Sequence, residues 1–300
     1  MKKSIAGFPM IGLLVFCAGC FLKPLPREVK KTSDLEYGNV HGRPLLLDLY
    51  TPKNQTGKIP VLIWIHGGAW KNGSKKRCPI AFMATQNVAV VSIDYRLSHE
   101  APFPAPLHDC KGAVRWLRAH AEKYQLDSGH IGIFGVSSGG HLAALLGTTG
   151  DAETLEGNVG GNLNFSSKVQ AVCALYPATD LNQLVTNAQQ RISPKNDAGR
   201  LLGGTVESKQ DVAALANPIR YVSKNSAPFF LVHGDEDKIV PLQQSRILYG
   251  ALKDAGVDAT LEILRGKGHG AIPNKEVAMG INTFFQKYLP AKKSSTETQK

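Results

Sequence analysis

Four short segments of this chain carry the residue types that acyl-transfer chemistry needs. Ser137 stands in Gly135-Val136-Ser137-Ser138-Gly139, directly after the apolar run Ile131–Phe134 and before a helix-like run at Leu142. A sharp strand-to-helix turn there would push the Ser137 hydroxyl out of a sheet, and the flanking glycines leave room for a close approach. A helix N-terminus behind the serine favours negative charge developing in front of it. His66-Gly67-Gly68-Ala69-Trp70 follows a second apolar run, Val61–Ile65. A glycine-rich loop at that point can aim backbone N–H groups at an oxyanion. The second contribution is expected from the N–H after the nucleophile, that of Ser138. His66 itself is expected to hold the loop through a hydrogen bond rather than to act as a base.

A nucleophilic serine needs a base, and the base needs a carboxylate to orient it. Of the nine histidines, His269 is the one placed to serve, in Gly266-Lys267-Gly268-His269-Gly270 after the final strand-like run. A histidine on a glycine-flanked loop can turn its Nε2 toward Ser137. His41, His99, His108, His120, His130 and His141 read as surface or structural residues. For the carboxylate, His233-Gly234-Asp235-Glu236-Asp237 follows the strand-like Phe229–Val232. Asp237 is the choice, Asp235 the main rival, and Asp180 a distant third.

These segments must be positioned by a scaffold, and the rest of the chain describes one. Apolar runs at Val61–Ile65, Val88–Ile93, Ile131–Phe134, Val169–Tyr176 and Phe229–Val232 read as strands buried on both faces. Two earlier strands are expected near Leu35–Asn39 and Pro44–Tyr50, and a last one at Thr260–Leu264. Between them come a short helix at Pro79–Gln86, a long one at Pro106–Leu126, and others from Leu142, over Gln243–Ala255 and over Val277–Tyr288. Strands alternating with helices predict an α/β fold with a mostly parallel central sheet flanked by helices. Two irregular stretches, Asp151–Lys168 and Asn182–Ala214, are expected as small cap insertions over the strands' C-terminal ends.

With 300 residues and 43% apolar content, the chain can bury one large core without disulfides or metals. The formal charge of +11 comes from scattered basic residues, and no Arg-rich helix or aromatic-basic ladder points to nucleic acid. No Cys/His spacing suggests a metal site, and the chemistry above requires no cofactor. Lys2 and Lys3 precede an apolar run, Ile5–Ala18, that is short for a membrane span and reads as a signal peptide. It ends in Cys17-Ala18-Gly19-Cys20, which resembles the lipobox of bacterial lipoproteins. That resemblance implies cleavage after residue 19, a lipid on Cys20 and anchorage in the bacterial cell envelope. Ordinary cleaved secretion and an uncleaved N-terminal helix are the alternatives. Residues 20–33 are then a Pro- and Lys-rich tether, 34–290 the folded domain, and 291–300 a polar, disordered tail. Cys173 reads as core, and a Cys78–Cys110 bridge is conceivable without being favoured.

Taken together, His66-Gly67-Gly68-Ala69-Trp70, Asp94-Tyr95-Arg96-Leu97, Phe103-Pro104-Ala105-Pro106, Ser137-Ser138-Gly139-Gly140-His141-Leu142-Ala143 and the Asp237 and His269 segments resemble the bacterial esterases related to hormone-sensitive lipase. The branch is the one near the bifunctional feruloyl and acetyl-xylan esterases, and the likeness runs from about residue 34 to 289. It implies the α/β-hydrolase fold, a Ser137–Asp237–His269 triad in that chain order, and oxyanion donors at Gly68, Ala69 and Ser138. Many relatives carry three glycines after the histidine, whereas the third position here is Ala69, which keeps its N–H and adds a methyl. The implied activity is carboxylic ester hydrolysis, with small-molecule or polysaccharide esters as substrates. Asp94, Arg96 and Asp109 match positions that brace the site. Two other readings stay open. The His-Gly-Gly-x-Trp pattern also resembles the kynurenine formamidases, which cleave an amide, and a non-catalytic hydrolase-fold binding protein would use the scaffold without the chemistry.

Overall fold

The continuous apolar runs become the centre of an eight-stranded sheet in a computed structural model that describes residues 24–185 and 193–290. The strands are β1 (Val29–Val40), β2 (Arg43–Pro52), β3 (Ile59–Ile65), β4 (Ala89–Ile93), β5 (Leu126–Val136), β6 (Ala171–Leu175), β7 (Phe229–Gly234) and β8 (Ala259–Leu264). Their spatial order is β1-β2-β4-β3-β5-β6-β7-β8. β1 and β2 form an antiparallel hairpin, β2 is antiparallel to β4, and every later pairing is parallel. The hairpin turns on His41 and Gly42, both at positive φ, which matches the twist of the flanking strands.

Every residue of β3, β4, β6 and β7 is buried, as expected for strands covered on both faces. The cover is α1 (Ala105–Ala119), α2 (Ala121–Tyr124), α3 (Ser138–Thr148), α4 (Leu181–Leu184), α5 (Asp197–Leu202), α6 (Gln210–Leu215), α7 (Gln243–Asp254) and α8 (Lys275–Tyr288). One face of the sheet meets α1, α3 and α7 through Leu107, Val114, Leu145 and Leu248. The other meets α8, whose Val277, Ala278, Ile281 and Phe285 follow helical spacing and bury against Phe134 and Phe230. Asn274 caps α8 by accepting the Val277 N–H at 2.9 Å.

The structure corrects several sequence-based boundaries. β1 begins at Val29, inside the expected tether, so residues 29–33 belong to the sheet. Its segment looked like a linker because only Val29 and Tyr37 of the strand are fully buried. The expected long helix stops at Ala119 and is followed by the single turn of α2. The Cys78–Cys110 bridge is absent: both cysteines are free, Cys110 in the layer beneath α1 and Cys78 against the layer on the opposite face. The sheet itself separates them. The signal segment, Cys20 and residues 291–300 lie outside the described residues.

Of the two expected caps, only one approaches the strands' C-terminal ends near Ser137. The stretch 151–168 instead lies along α1 and β1. Glu156 accepts from Lys111 (3.0 Å) and Arg115, and the Val159 carbonyl accepts from Arg115 at 2.7 Å. Lys111 and Arg115 are both buried. The stretch therefore neutralises two buried cations on the outer face of α1.

Candidate active site

Ser137 is where the chain turns from β5 into α3, at φ 53° and ψ −120°. For a residue with a side chain that backbone is strained, at a cost on the order of 1–3 kcal/mol. The turn is held by the Ser137 N–H, which donates to the Leu175 carbonyl at 2.9 Å, and by close packing behind it. A Cβ on Gly139 would stand 2.2 Å from the Ile65 carbonyl oxygen, and one on Gly67 would stand 2.9 Å from that of Val136. Only glycine lets the His66–Trp70 loop and the Ser137 turn approach so closely.

Three residues spread over 132 positions of sequence meet here. Ser137 Oγ is 3.0 Å from His269 Nε2, and His269 Nδ1 is 2.7 Å from Asp237 Oδ2. A carboxylate can only accept, so Nδ1 carries the hydrogen and Nε2 is left with its lone pair toward the serine. Asp237 is buried, and its Oδ1 accepts the N–H groups of Ile239 and Val240, each at 2.9 Å. The rivals are occupied elsewhere. Asp235 accepts from the Gly266 N–H (2.7 Å) and Arg265, and Asp180 caps α4.

Two partners of this arrangement were not singled out from the sequence. His233 is fully buried, and its Nε2–H faces the Val240 carbonyl (2.8 Å) and Asp237 Oδ2 (3.3 Å), while its Nδ1 accepts from Ser245 Oγ at 2.7 Å. Burial holds its pKa below the usual histidine range. Tyr176 lies edge-on to the His269 ring at 4.8 Å between centroids, with φ at 39°. Burial and the nearby Asp237 charge push its hydroxyl up to about 12. His233 stands four residues before Asp237 in the segment already read for its carboxylates, and Tyr176 stands just past β6.

The glycine-rich loop is equally constrained. Gly68, Ala69 and Trp70 have φ of 126°, 55° and 56°. The Gly68 carbonyl accepts from the Lys71 and Asn72 N–H groups at 3.1 and 3.0 Å, and the Trp70 carbonyl accepts from Ser98 at 2.7 Å. His66 behaves as expected. Its ring stacks on Tyr95 at 4.4 Å, its Nδ1–H donates to the Gly67 carbonyl at 2.9 Å, and burial lowers its pKa. The expected braces also form: Arg96 pairs with the fully buried Asp109 at 2.7 Å, and Asp94 accepts the Lys75 N–H at 2.7 Å.

Ala69, Trp70, Ser137 and Ser138 line a cavity of about 200 Å³, closed by Ala178, Leu184, Val185, Asn196, Asp197, Ala198, Ile239 and Val240. The second irregular stretch thus supplies a wall, tied to the loop by a Lys71–Asp197 ion pair at 2.5 Å. The cavity places Ser137 and the strained loop around one small volume, and His269 Nε2 reaches that serine's Oγ at 3.0 Å.

The strand order, the antiparallel first pairings and the turn at Ser137 together define the α/β-hydrolase fold. The family profile BD-FAE matches residues 47–252, and the chain belongs to that family. It is 35% identical to esterase LipQ of Mycobacterium tuberculosis over 240 residues, which is 78% of this chain and 55% of LipQ. The chain spans about half the length of the curated relatives it matches. Among solved structures, a bifunctional GH43-CE protein of Bacteroides eggerthii superposes with a TM-score of 0.77 at 33% identity, covering 86% of this chain and 38% of that one. A truncated carbohydrate esterase from gut microbiota superposes at 0.76 with 29% identity, covering 86% and 96%.

Proposed function

We propose that this protein is a serine carboxylesterase, with Ser137 as nucleophile, His269 as general acid–base and Asp237 as its orienting carboxylate. The observation that carries the reading is the unbroken path from Ser137 Oγ to His269 Nε2 at 3.0 Å and from His269 Nδ1 to the buried Asp237 at 2.7 Å. His269 Nε2 takes the Ser137 proton as Oγ bonds to the ester carbonyl carbon. The resulting oxyanion accepts hydrogen bonds from the N–H groups of Gly68, Ala69 and Ser138. The imidazolium returns the proton to the alkoxide as the C–O bond breaks, leaving an acyl-serine. A water, deprotonated by His269, then attacks the acyl carbon and releases the acid, and Ser137 regains its proton. The esterase names of the relatives support the same chemistry.

The substrates we propose are acetyl or feruloyl esters of plant-type polysaccharides. The likeness to a carbohydrate esterase from gut microbiota and the small cavity beside Ser137 support this choice. We propose also that a lipid on Cys20 holds the enzyme in the cell envelope, a reading supported by the Cys17-Ala18-Gly19-Cys20 pattern. Labelled palmitate taken up by the wild type and not by Cys20→Ser is its test.

The first experiment is hydrolysis of p-nitrophenyl acetate by the wild type beside Ser137→Ala. The variant should lose on the order of 10⁶ in turnover. A folded wild type without turnover, or a variant that keeps it, would refute the assignment. Release of acetate from acetylated xylan or of ferulate from feruloylated arabinoxylan then tests the substrate. Turnover of the small ester with neither polymer product would remove the polysaccharide reading and keep the esterase.

A further inference from the structure

We propose that His141 is a positioning residue for the oxyanion loop: hydrogen-bonded between Ala216 and Trp70, it fixes, through the Trp70 indole, the left-handed turn that presents the Ala69 N–H. The inference rests on the ester-hydrolysis reading above.

Ala69 and Trp70 are consecutive residues with side chains in the left-handed region, at φ 55° and 56°. Such a pair relaxes unless its surroundings hold it. Hydrogen bonds at Gly68 and at the Trp70 carbonyl fasten the backbone on either side. The Trp70 side chain is held separately. Its ring is 3% exposed, and its Nε1–H donates to His141 Nδ1 at 3.2 Å, with the two rings edge-on at 5.3 Å.

His141 is fully buried on the first turn of α3, and its own N–H donates to the Ser137 carbonyl at 3.0 Å. Its Nε2–H donates to the Ala216 carbonyl at 2.7 Å, beside the end of α6. With that hydrogen on Nε2, the lone pair on Nδ1 is free to receive the indole. One imidazole therefore ties the helix bearing Ser137 and Ser138 to the loop bearing Gly68 and Ala69. Donors on two different elements are fixed relative to each other. Burial pushes the His141 pKa down to about 4, opposed only by the Ala216 carbonyl, so Nδ1 stays an acceptor at neutral pH.

Trp70 also lines the cavity, so a role as mere wall is the competing account. The two accounts differ in which kinetic constant they move. A donor displaced from the oxyanion acts in the transition state and lowers kcat, whereas a lost wall contact raises KM.

The test measures kcat and KM for p-nitrophenyl acetate in the wild type, Trp70→Phe, His141→Phe and the double variant, with Ser137→Ala as blank. Trp70→Phe keeps an aromatic ring facing His141 while removing the indole N–H together with part of the ring. Its kcat is expected to fall roughly ten- to fifty-fold with KM nearly unchanged. His141→Phe, which also frees the Ala216 carbonyl, should fall at least as far, and the double variant no further than His141→Phe, because both changes remove the same Trp70–His141 bond. Trp70→Phe with wild-type kcat, a loss carried wholly by KM, or losses that multiply in the double variant would each overturn the proposal. Should His141→Phe fail to fold, Trp70→Phe alone decides. A wild type without Ser137-dependent turnover would instead overturn the esterase reading, which is a distinguishable result.

Discussion

Replacing Asp237 by asparagine exchanges one oxygen for an amide nitrogen and reverses the hydrogen-bond logic around His269. In the native arrangement Oδ1 accepts two backbone N–H groups and Oδ2 accepts from His269 Nδ1 and faces His233 Nε2. An asparagine keeps its carbonyl oxygen on the two backbone donors, since the amide nitrogen cannot accept from them. Its NH₂ then points at His269 Nδ1, which must become the acceptor. The hydrogen moves to Nε2, and the lone pair that takes the Ser137 proton is gone. The same NH₂ meets the Nε2–H of His233, two donors face to face. The wrong tautomer costs about 10⁴ in kcat in triads of this kind, or about 5 kcal/mol at the transition state. Initial rates of p-nitrophenyl acetate hydrolysis measure it, with thermal unfolding of both proteins to show that the variant is folded at the assay temperature. Asp235→Asn is the control and should retain turnover within a few-fold. A loss below ten-fold in Asp237→Asn, or an equal loss in Asp235→Asn, would refute the reasoning.

Three further outcomes follow from the same contacts. The His141 pKa falls from its ordinary 6.5 to about 4, so the unfolded chain binds a proton the folded one refuses; stability drops as pH falls between those values, by about 3 kcal/mol in all. Urea midpoints at pH 7 and pH 4.5 should therefore differ less in His141→Phe than in the wild type, and parallel pH slopes would contradict this. Glu156→Gln leaves the buried Lys111 and Arg115 without their carboxylate and should cost about 3 kcal/mol of stability. Denaturant unfolding reads that loss, while kcat at a permissive temperature should stay within twofold because the 151–168 stretch lines no part of the cavity. Alkylation under denaturing, non-reducing conditions should modify Cys78, Cys110 and Cys173 alike, and a Cys78–Cys110 cross-linked peptide would contradict the structure.

What could be read from the sequence was the set of features whose cause is local. β3, β4, β6 and β7 announce themselves because burial on both faces demands an unbroken apolar run. The Ser137 turn does so because only a glycine fits at Gly139, where a Cβ would stand 2.2 Å from the Ile65 carbonyl oxygen. The hairpin strand β1 was misread where its residues alternate with solvent, since Lys30, Lys31 and Thr32 carry no apolar signal even though Lys31 and Thr32 pair with Tyr50 and Leu49. The stretch 151–168 was expected near the active centre because its Gly- and Asn-rich composition reports a loop but not a destination. Its destination depends on Lys111 and Arg115, buried cations on the outer face of α1 whose carboxylate comes from elsewhere in the chain.

The histidines show most sharply where local reading ends. His269, His233 and His141 are the same side chain, each packed close to the serine and carboxylate or to the loop beside them. Their roles are set by which atoms face the two ring nitrogens, and those atoms come from distant positions. His141 lies between a tryptophan 71 residues earlier and a carbonyl 75 residues later. Both of its nitrogens are committed, so it can neither take nor give a proton without breaking the loop's hold. His233 is committed likewise, to Ser245 and Val240. His269 differs because its Nδ1 faces a carboxylate and its Nε2 faces a hydroxyl. A carboxylate stabilises the imidazolium that proton transfer creates; His141 has only the Ala216 carbonyl behind it, and His233, although 3.3 Å from the same Asp237 carboxylate, turns its other nitrogen to Ser245. Of the three, only His269 combines a carboxylate on one nitrogen with the Ser137 hydroxyl on the other, the arrangement the proposed base requires, and the glycines around it in sequence were the one local sign of that freedom.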